Sequence, residues 1–192
     1  PQYWKEWHAD LNSHVIPLLR NSSDQIEAGA APIKTKAGWL LIHSYIKNYF
    51  SSNKVFGIEA TLLDLDNPLK VIGRTDSLLV TEKDYELHGI VPNIIFPTSA
   101  ILQEDEVWVY YGAADTVGCL AKIKLDVLLD ELTKKSPTVF IKSEIIKKGF
   151  TRYNQNPIIE PRPEFLWEQK GTLNPASVYA ENGVHIVYRA FS

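Results

Sequence analysis

Apolar residues in this chain gather in short runs broken by turn residues, a pattern that predicts strands rather than helices. Three segments share one layout. Ala31-Pro32-Ile33-Lys34 leads through Ala37-Gly38 into Trp39-Leu40-Leu41-Ile42 and Tyr45. Phe96-Pro97-Thr98-Ser99-Ala100 leads through Glu104-Asp105 into Val107-Trp108-Val109-Tyr110. Asn174-Pro175-Ala176-Ser177-Val178 leads through Asn182-Gly183 into Val184-His185-Ile186-Val187-Tyr188. Each predicts strand, tight turn, strand, and Asn-Gly is the favoured pair for a two-residue hairpin. The interval from proline to tyrosine is the same in all three: 32 to 45, 97 to 110 and 175 to 188. Further strands are predicted over Val55–Asp64, Leu78–Val80 and Cys119–Lys124. Helical spacing is confined to Asp126–Leu132 and to Trp4–Leu19, where Pro17 opposes it.

Repeated hairpins predict an all-β chain. Pro32, Pro97 and Pro175 are 65 and 78 residues apart, which suits propeller blades carrying insertions, blades commonly running about 40–50 residues. A β-sandwich is the competing architecture. Asp66-Asn67-Pro68-Leu69-Lys70-Val71-Ile72 and Gln155-Asn156-Pro157-Ile158-Ile159-Glu160 also resemble each other, each opening a new unit after a turn.

Composition narrows the function classes. A net charge of −3 gives no basic field for nucleic acid or an acidic membrane. No apolar run reaches membrane-spanning length. Cys119 is the only cysteine and the five histidines are scattered, so neither a disulfide nor a metal site is expected, and no cofactor motif is present. No signal peptide is visible, and a cytoplasmic location is expected. Five Trp, nine Tyr and seven Phe make the chain aromatic-rich; most are expected in cores, Trp39 and Trp108 among them, and some suit the apolar face of a sugar. Trp167 is open between sugar platform and blade closure. Lys134-Lys135 and Lys147-Lys148 read as solvated linker charge.

Several ordered motifs carry a resemblance. They are Ala28-Gly29-Ala30-Ala31-Pro32-Ile33-Lys34-Thr35 with Gly38-Trp39-Leu40-Leu41-Ile42, and Ala60-Thr61-Leu62-Leu63-Asp64-Leu65-Asp66-Asn67-Pro68. Tyr85-Glu86, Gly89-Ile90-Val91-Pro92-Asn93-Ile94-Ile95-Phe96-Pro97 and Tyr110-Tyr111-Gly112-Ala113-Ala114-Asp115-Thr116 complete the set. Over residues 1–135 the chain resembles glycoside hydrolase family 130, which implies a five-bladed β-propeller acting on β-mannosides as an inverting phosphorylase or a hydrolase. Residues 150–192 resemble the N-terminal part of the same family through Asn156-Pro157-Ile158-Ile159-Glu160-Pro161, Leu173-Asn174-Pro175-Ala176 and Val187-Tyr188-Arg189-Ala190. The order is inverted, which divides the chain into C-terminal blades over 1–145 and the first blade of a second or permuted module over 146–192, joined near Lys134–Gly149. About three of five blades are expected. The chain opens at Pro1, holds no methionine and closes inside a strand motif at Ala190-Phe191-Ser192, so it is expected to be a window on a longer protein, a permutant or a fragment.

The resemblance also implies roles. The aspartate that protonates the leaving oxygen falls beyond Ser192, so no catalytic residue is assigned here. Asp115, Asn174 and Arg189 match glycone-binding positions, where a carboxylate or guanidinium makes the stronger, charge-assisted hydrogen bonds. Tyr111 faces away from Tyr110 along its strand and is expected to line the cleft. The positions at which phosphorylases of the family present lysine, histidine and tyrosine to phosphate fall on Gln25, Ser44 and Phe56, none of which offers a cation. His43 is adjacent, but a one-residue step reverses its face. These replacements favour hydrolysis, which needs a carboxylate to activate water; Asp24 and Glu27 flank Gln25 and neither is singled out. Three functions stay open: a β-mannoside hydrolase completed outside this chain, a mannoside phosphorylase with an altered anion site, and a non-catalytic glycan-binding module. The expected partners are an oligosaccharide and either the remaining blades or a second copy.

Overall fold

The structure is a computed structural model and describes residues 9–133 and 149–192. Alternation in the long apolar strands organises it. In β3 (Trp39–Lys47) and β4 (Val55–Leu63), Leu40, Ile42, Ile58, Ala60 and Leu62 project to one face and are fully buried there. β1 (Gln25–Ala28) and β2 (Ile33–Lys34) pair in turn with the two halves of β3, so that residues 25–34 act as one interrupted strand. β5 (Val71–Arg74) and β6 (Leu79–Val80) share β4 in the same way. The result is one antiparallel sheet, a blade four strand positions wide.

The second blade runs β7 (Ile95–Gln103), β8 (Glu106–Ala113), β9 (Val117–Lys124) and β10 (Thr151–Arg152), all antiparallel. The third has two strands among the described residues, β11 (Gly171–Ala180) and β12 (Gly183–Phe191). β7 touches β2, β3 and β4 on one side and β11 on the other, so the blades stand in sequence around their first strands. The fold is all-β, three blades of a five-bladed propeller type, and the ring is not closed by these residues. Between the first two blades the core joins Leu40, Ile42, Ile58 and Leu62 to Val107, Val109, Tyr111, Cys119, Ala121 and Ile123. Helix α2 (Leu125–Thr133) caps that interface with buried Leu128 and Leu132, its spacing matching the helix predicted over Asp126–Leu132. A Cβ at Gly73 would run into the carbonyl of Leu132, so only glycine lets β5 approach the helix.

The second and third blades meet through polar contacts. Thr98 Oγ1 donates to the Pro175 carbonyl at 2.7 Å, Ser99 and Ser177 share a hydroxyl hydrogen bond at 2.7 Å, and Thr172 N–H donates to Thr116 O at 2.9 Å. The segment leading into the third blade also completes the second. Beyond β10, Asn156 bonds the Leu120 backbone in both directions at 2.8 and 2.9 Å, and Ile159 bridges Gly118. The junction expected near Lys134–Gly149 lies, apart from Gly149, outside the described residues.

One buried carboxylate ties these parts together. Glu86, on the short helix α1 (Asp84–Leu87), is fully buried. It accepts from Arg152 Nε and Nη2, both at 2.7 Å, from Tyr111 Oη at 2.9 Å, and from the N–H groups of Glu82 and Lys83 at 2.8 and 3.0 Å. Burial pushes its pKa upward, but Arg152 and the two N–H donors outweigh burial and hold it below the usual carboxylate range.

Four expectations are corrected. Trp4–Leu19 is helical at Ala9 but not beyond it: a 3-10 turn at Leu11–His14 follows and the chain then extends, while residues 4–8 lie outside the described residues. Trp39 and Trp108 are not core residues: each is partly exposed, with Lys34 and Lys122 ammonium groups 5.4 and 3.6 Å from their ring centroids. The third hairpin turns on Glu181 and Asn182, both at positive φ, with Gly183 already in β12. The strand expected to end at Asp64 ends one residue earlier, because Asp64 folds back on the N–H groups of Asp66 and Asn67.

Arg152→Ala leaves Glu86 buried without its cation and is expected to cost about 3–5 kcal/mol, read as a lower urea midpoint at unchanged m. The β11–β12 sheet, whose β12 edge is unpaired among the described residues and which exposes Val178 and Val187 at 57% and 74%, predicts that the 192-residue chain expressed alone self-associates. A single monomeric species in analytical ultracentrifugation would contradict this.

Candidate functional site: the rim where the first strands begin

The first strands of the blades enter the sheet at the same rim. Gln25 and Glu27 open β1, Ile95 opens β7 and Gly171 opens β11. β8 ends at this rim, since Ala113 pairs with Ile95, and Arg189 returns to it opposite Leu173. Backbone geometry then aims the polar groups. Ala114 and Asp115 both take positive φ, 46° and 48°, in the turn between β8 and β9. Asn174 does so at 53°, within the irregularity between Leu173 and Ala176. Asparagine and aspartate tolerate this conformation better than most side chains.

Three of the expected site residues come together. Asp115 is partly buried; burial raises its pKa, and Arg189, close enough to act on it, pulls the pKa back. Asn174 is exposed beside Gly112, whose Cβ, if present, would sit 3.9 Å from Asn174 Oδ1. Gly171 lies against the Asp115 carbonyl, where a Cβ would come to 3.3 Å. A carboxylate, an amide and a guanidinium thus share one rim, spanning the second and third blades.

Tyr111 is not part of this group. Its side chain lies on the β8 face that packs against the first blade, is fully buried, and spends its hydroxyl on Glu86. Strand alternation did turn it away from Tyr110, but toward a blade interface rather than a cleft. Trp167 is 55% exposed and tilts against Phe165 with centroids 6.1 Å apart.

Gln25, Ser44 and Phe56 share one face of the first blade. Gln25 pairs with Ile46, which pairs with Phe56; in the next row Glu27 pairs with Ser44, which pairs with Ile58. Ser44 is fully buried, and its Oγ is a buried polar side-chain atom without a hydrogen-bond partner among the described residues. His43 faces the other way, its Nε2 3.0 Å from Thr61 Oγ1, and burial lowers its pKa, which favours the neutral ring. On that same opposite side Arg20 pairs with Glu59 at 2.6 Å and lies 3.8 Å over the Tyr45 ring. This pair escaped sequence reading, because its members are 39 residues apart and neither lies in a motif. Asp24 is occupied too. It accepts from Tyr45 Oη at 2.8 Å and from Asn48 N–H at 3.0 Å, which bring its pKa down to about 2.

A propeller whose blades gather acid, amide and guanidinium at one rim is the class that fold and site define. The profile of glycoside hydrolase family 130, described as β-1,4-mannooligosaccharide phosphorylase, matches residues 4–134, and the chain belongs to that family. It is similar to a 1,2-β-oligomannan phosphorylase of Thermoanaerobacter sp., 41% identical over 125 residues that cover 61% of this chain and 41% of that protein. A β-1,4-mannooligosaccharide phosphorylase of Ruminococcus albus is 34% identical over 140 residues, covering 70% and 40%. Among solved structures, the β-1,2-mannobiose phosphorylase of Listeria innocua, in complex with β-1,2-mannobiose, superposes with a TM-score of 0.50 at 32% identity, covering 56% of this chain and 30% of that one. The chain spans about two fifths of the length of these two curated relatives. Among the described residues no helix is long and apolar enough to cross a membrane.

Asp24 supplies a pH test. Its folded-state pKa is depressed, so its contribution is complete above the unfolded value of about 4 and is lost as pH falls toward 2. Asp24→Asn is expected to lower Tm at pH 7 and to make the loss of Tm between pH 4 and 2 shallower than in the unsubstituted chain.

Proposed function

We propose that the protein carrying this chain cleaves β-mannosides by a single displacement, with water rather than phosphate attacking the anomeric carbon. In this reading Asp115, Asn174 and Arg189 hold the glycone, and the carboxylic acid that protonates the leaving oxygen comes from a blade outside these residues. The observation that carries the choice of water is the shared face of Gln25, Ser44 and Phe56. A phosphate dianion needs charge-assisted donors, and an amide, a hydroxyl and a phenyl ring offer none. Phosphorolysis is the second reading, favoured by the printed names of the relatives, which are phosphorylases. It would draw the cation for the anion from another blade.

Residues 1–145 and 146–192 are further proposed to form one wall, the second segment standing where a closed ring brings its first blade beside its last. The strand pairing of β10 with β9 and the hydrogen bonds of Thr98 and Ser99 to the third blade support this. Oligosaccharide is the proposed partner at the rim.

The test is product analysis by the full-length protein on β-linked manno-oligosaccharides. Mannose formed without phosphate is the expected outcome; mannose 1-phosphate formed only with phosphate overturns the hydrolytic reading. Asp115→Asn and Arg189→Met each remove a charge-assisted hydrogen bond worth about 1.5–3 kcal/mol, so kcat/KM is expected to fall about 10- to 100-fold.

A further inference from the structure

Hydrolysis by single displacement needs a group that takes a proton from water as it attacks. We propose that Glu27 is that general base. The assignment rests on the hydrolytic reading above and on three observations. First, Asp24, the other carboxylate flanking Gln25, is withdrawn: it is buried and accepts hydrogen bonds from Tyr45 and Asn48. Second, Glu27 stands in β1 at the rim shared with Asp115, Asn174 and Arg189, and on the face that carries Gln25, Ser44 and Phe56. It is partly buried, and its carboxylate has no hydrogen-bond or ion-pair partner among the described residues.

Third, Glu27 is directly opposite Ser44 across the β1–β3 ladder. Cβ atoms of such pairs are about 4.5–5.5 Å apart, with both side chains on one face. The Ser44 hydroxyl is buried without a hydrogen-bond partner among the described residues, which leaves its donor unspent beside Glu27. Of this pair the partly exposed Glu27 carboxylate is the group that solvent reaches, and it is the one able to accept a proton from the attacking water.

The first blade also reaches the glycone rim through few intermediaries. Gly29, two residues after Glu27, lies against Pro97, where a Cβ would come within 2.8 Å of both the ring and the carbonyl oxygen. Thr98, the next residue, donates to Pro175, which follows Asn174. Glu27 and Asn174 therefore flank the start of β7 from its two sides. In the step itself, the water oxygen forms a bond to the anomeric carbon while one of its protons passes to the Glu27 carboxylate. The glycosidic C–O bond breaks, its electron pair stays on the leaving oxygen, and that oxygen takes a proton from the carboxylic acid of the outside blade.

The experiment uses the full-length protein with Glu27→Gln and Glu27→Ala, assayed on a β-mannoside carrying a good leaving group, with and without sodium azide. Both variants are expected to lose about 10²- to 10⁴-fold in kcat with little change in KM. Azide, which needs no base, is expected to restore turnover of Glu27→Ala and to yield the α-mannosyl azide. A merely structural role for Glu27 would not produce that azide. Glu27→Gln turning over at the unsubstituted rate, or loss of activity without any azide product, overturns the assignment while leaving hydrolysis standing. Strict dependence of the unsubstituted protein on phosphate overturns the hydrolytic reading itself.

Discussion

The buried ion pair of Glu86 and Arg152 is the interaction on which the rest depends. Glu86 comes from the helix between the first two blades, Tyr111 from the second strand of the second blade, and Arg152 from that blade's outermost strand. Burying a carboxylate is costly unless its lone pairs are filled. Its donors come from three stretches of chain, the residues that open α1, β8 and β10, so the cost is met only when all three are in register. Once β10 is seated, Asn156 and Ile159 continue along β9, and the chain is delivered to Gly171 beside Asp115. The rim that carries Asp115, Asn174 and Arg189 is the end point of that sequence of contacts.

Much of the fold was legible because strand alternation and hairpin chemistry are local. The runs at Val55, Leu79 and Val117 became strands within a residue or two of their expected limits, and the repeated proline-to-tyrosine layout marked the first hairpin of each blade. What was not legible depends on which blade covers which face. Tyr111 was turned the right way along its strand, yet the face it entered was a blade interface. Trp39 and Trp108 each face a lysine ammonium, a contact that hydrophobicity alone does not foretell. The hairpin loop at Glu181-Asn182 preceded the expected Asn-Gly pair because both loop residues accept positive φ and pairing continues through Gly183.

The candidate site shows the same division. Asp115, Asn174 and Arg189 were named from motifs and are brought to one rim. Ser44 and Glu27 were named singly, but their pairing is a property of register, invisible without the ladder. Arg20 and Glu59 lie outside any motif and fill the opposite face, which is why that side of the first blade is polar yet closed. A blade can therefore present two quite different chemistries on its two sides while its strands carry the same alternation.

The segment from β10 to Ile159 has a consequence for assembly. It completes the sheet of the second blade and is joined to α2 by residues 134–148. Tethering makes that docking intramolecular, with an effective concentration of order millimolar for a short connection. A neighbouring molecule's β10 must compete against this figure, so exchange of the segment between copies is suppressed at ordinary protein concentrations and becomes competitive only in crowded or refolding mixtures.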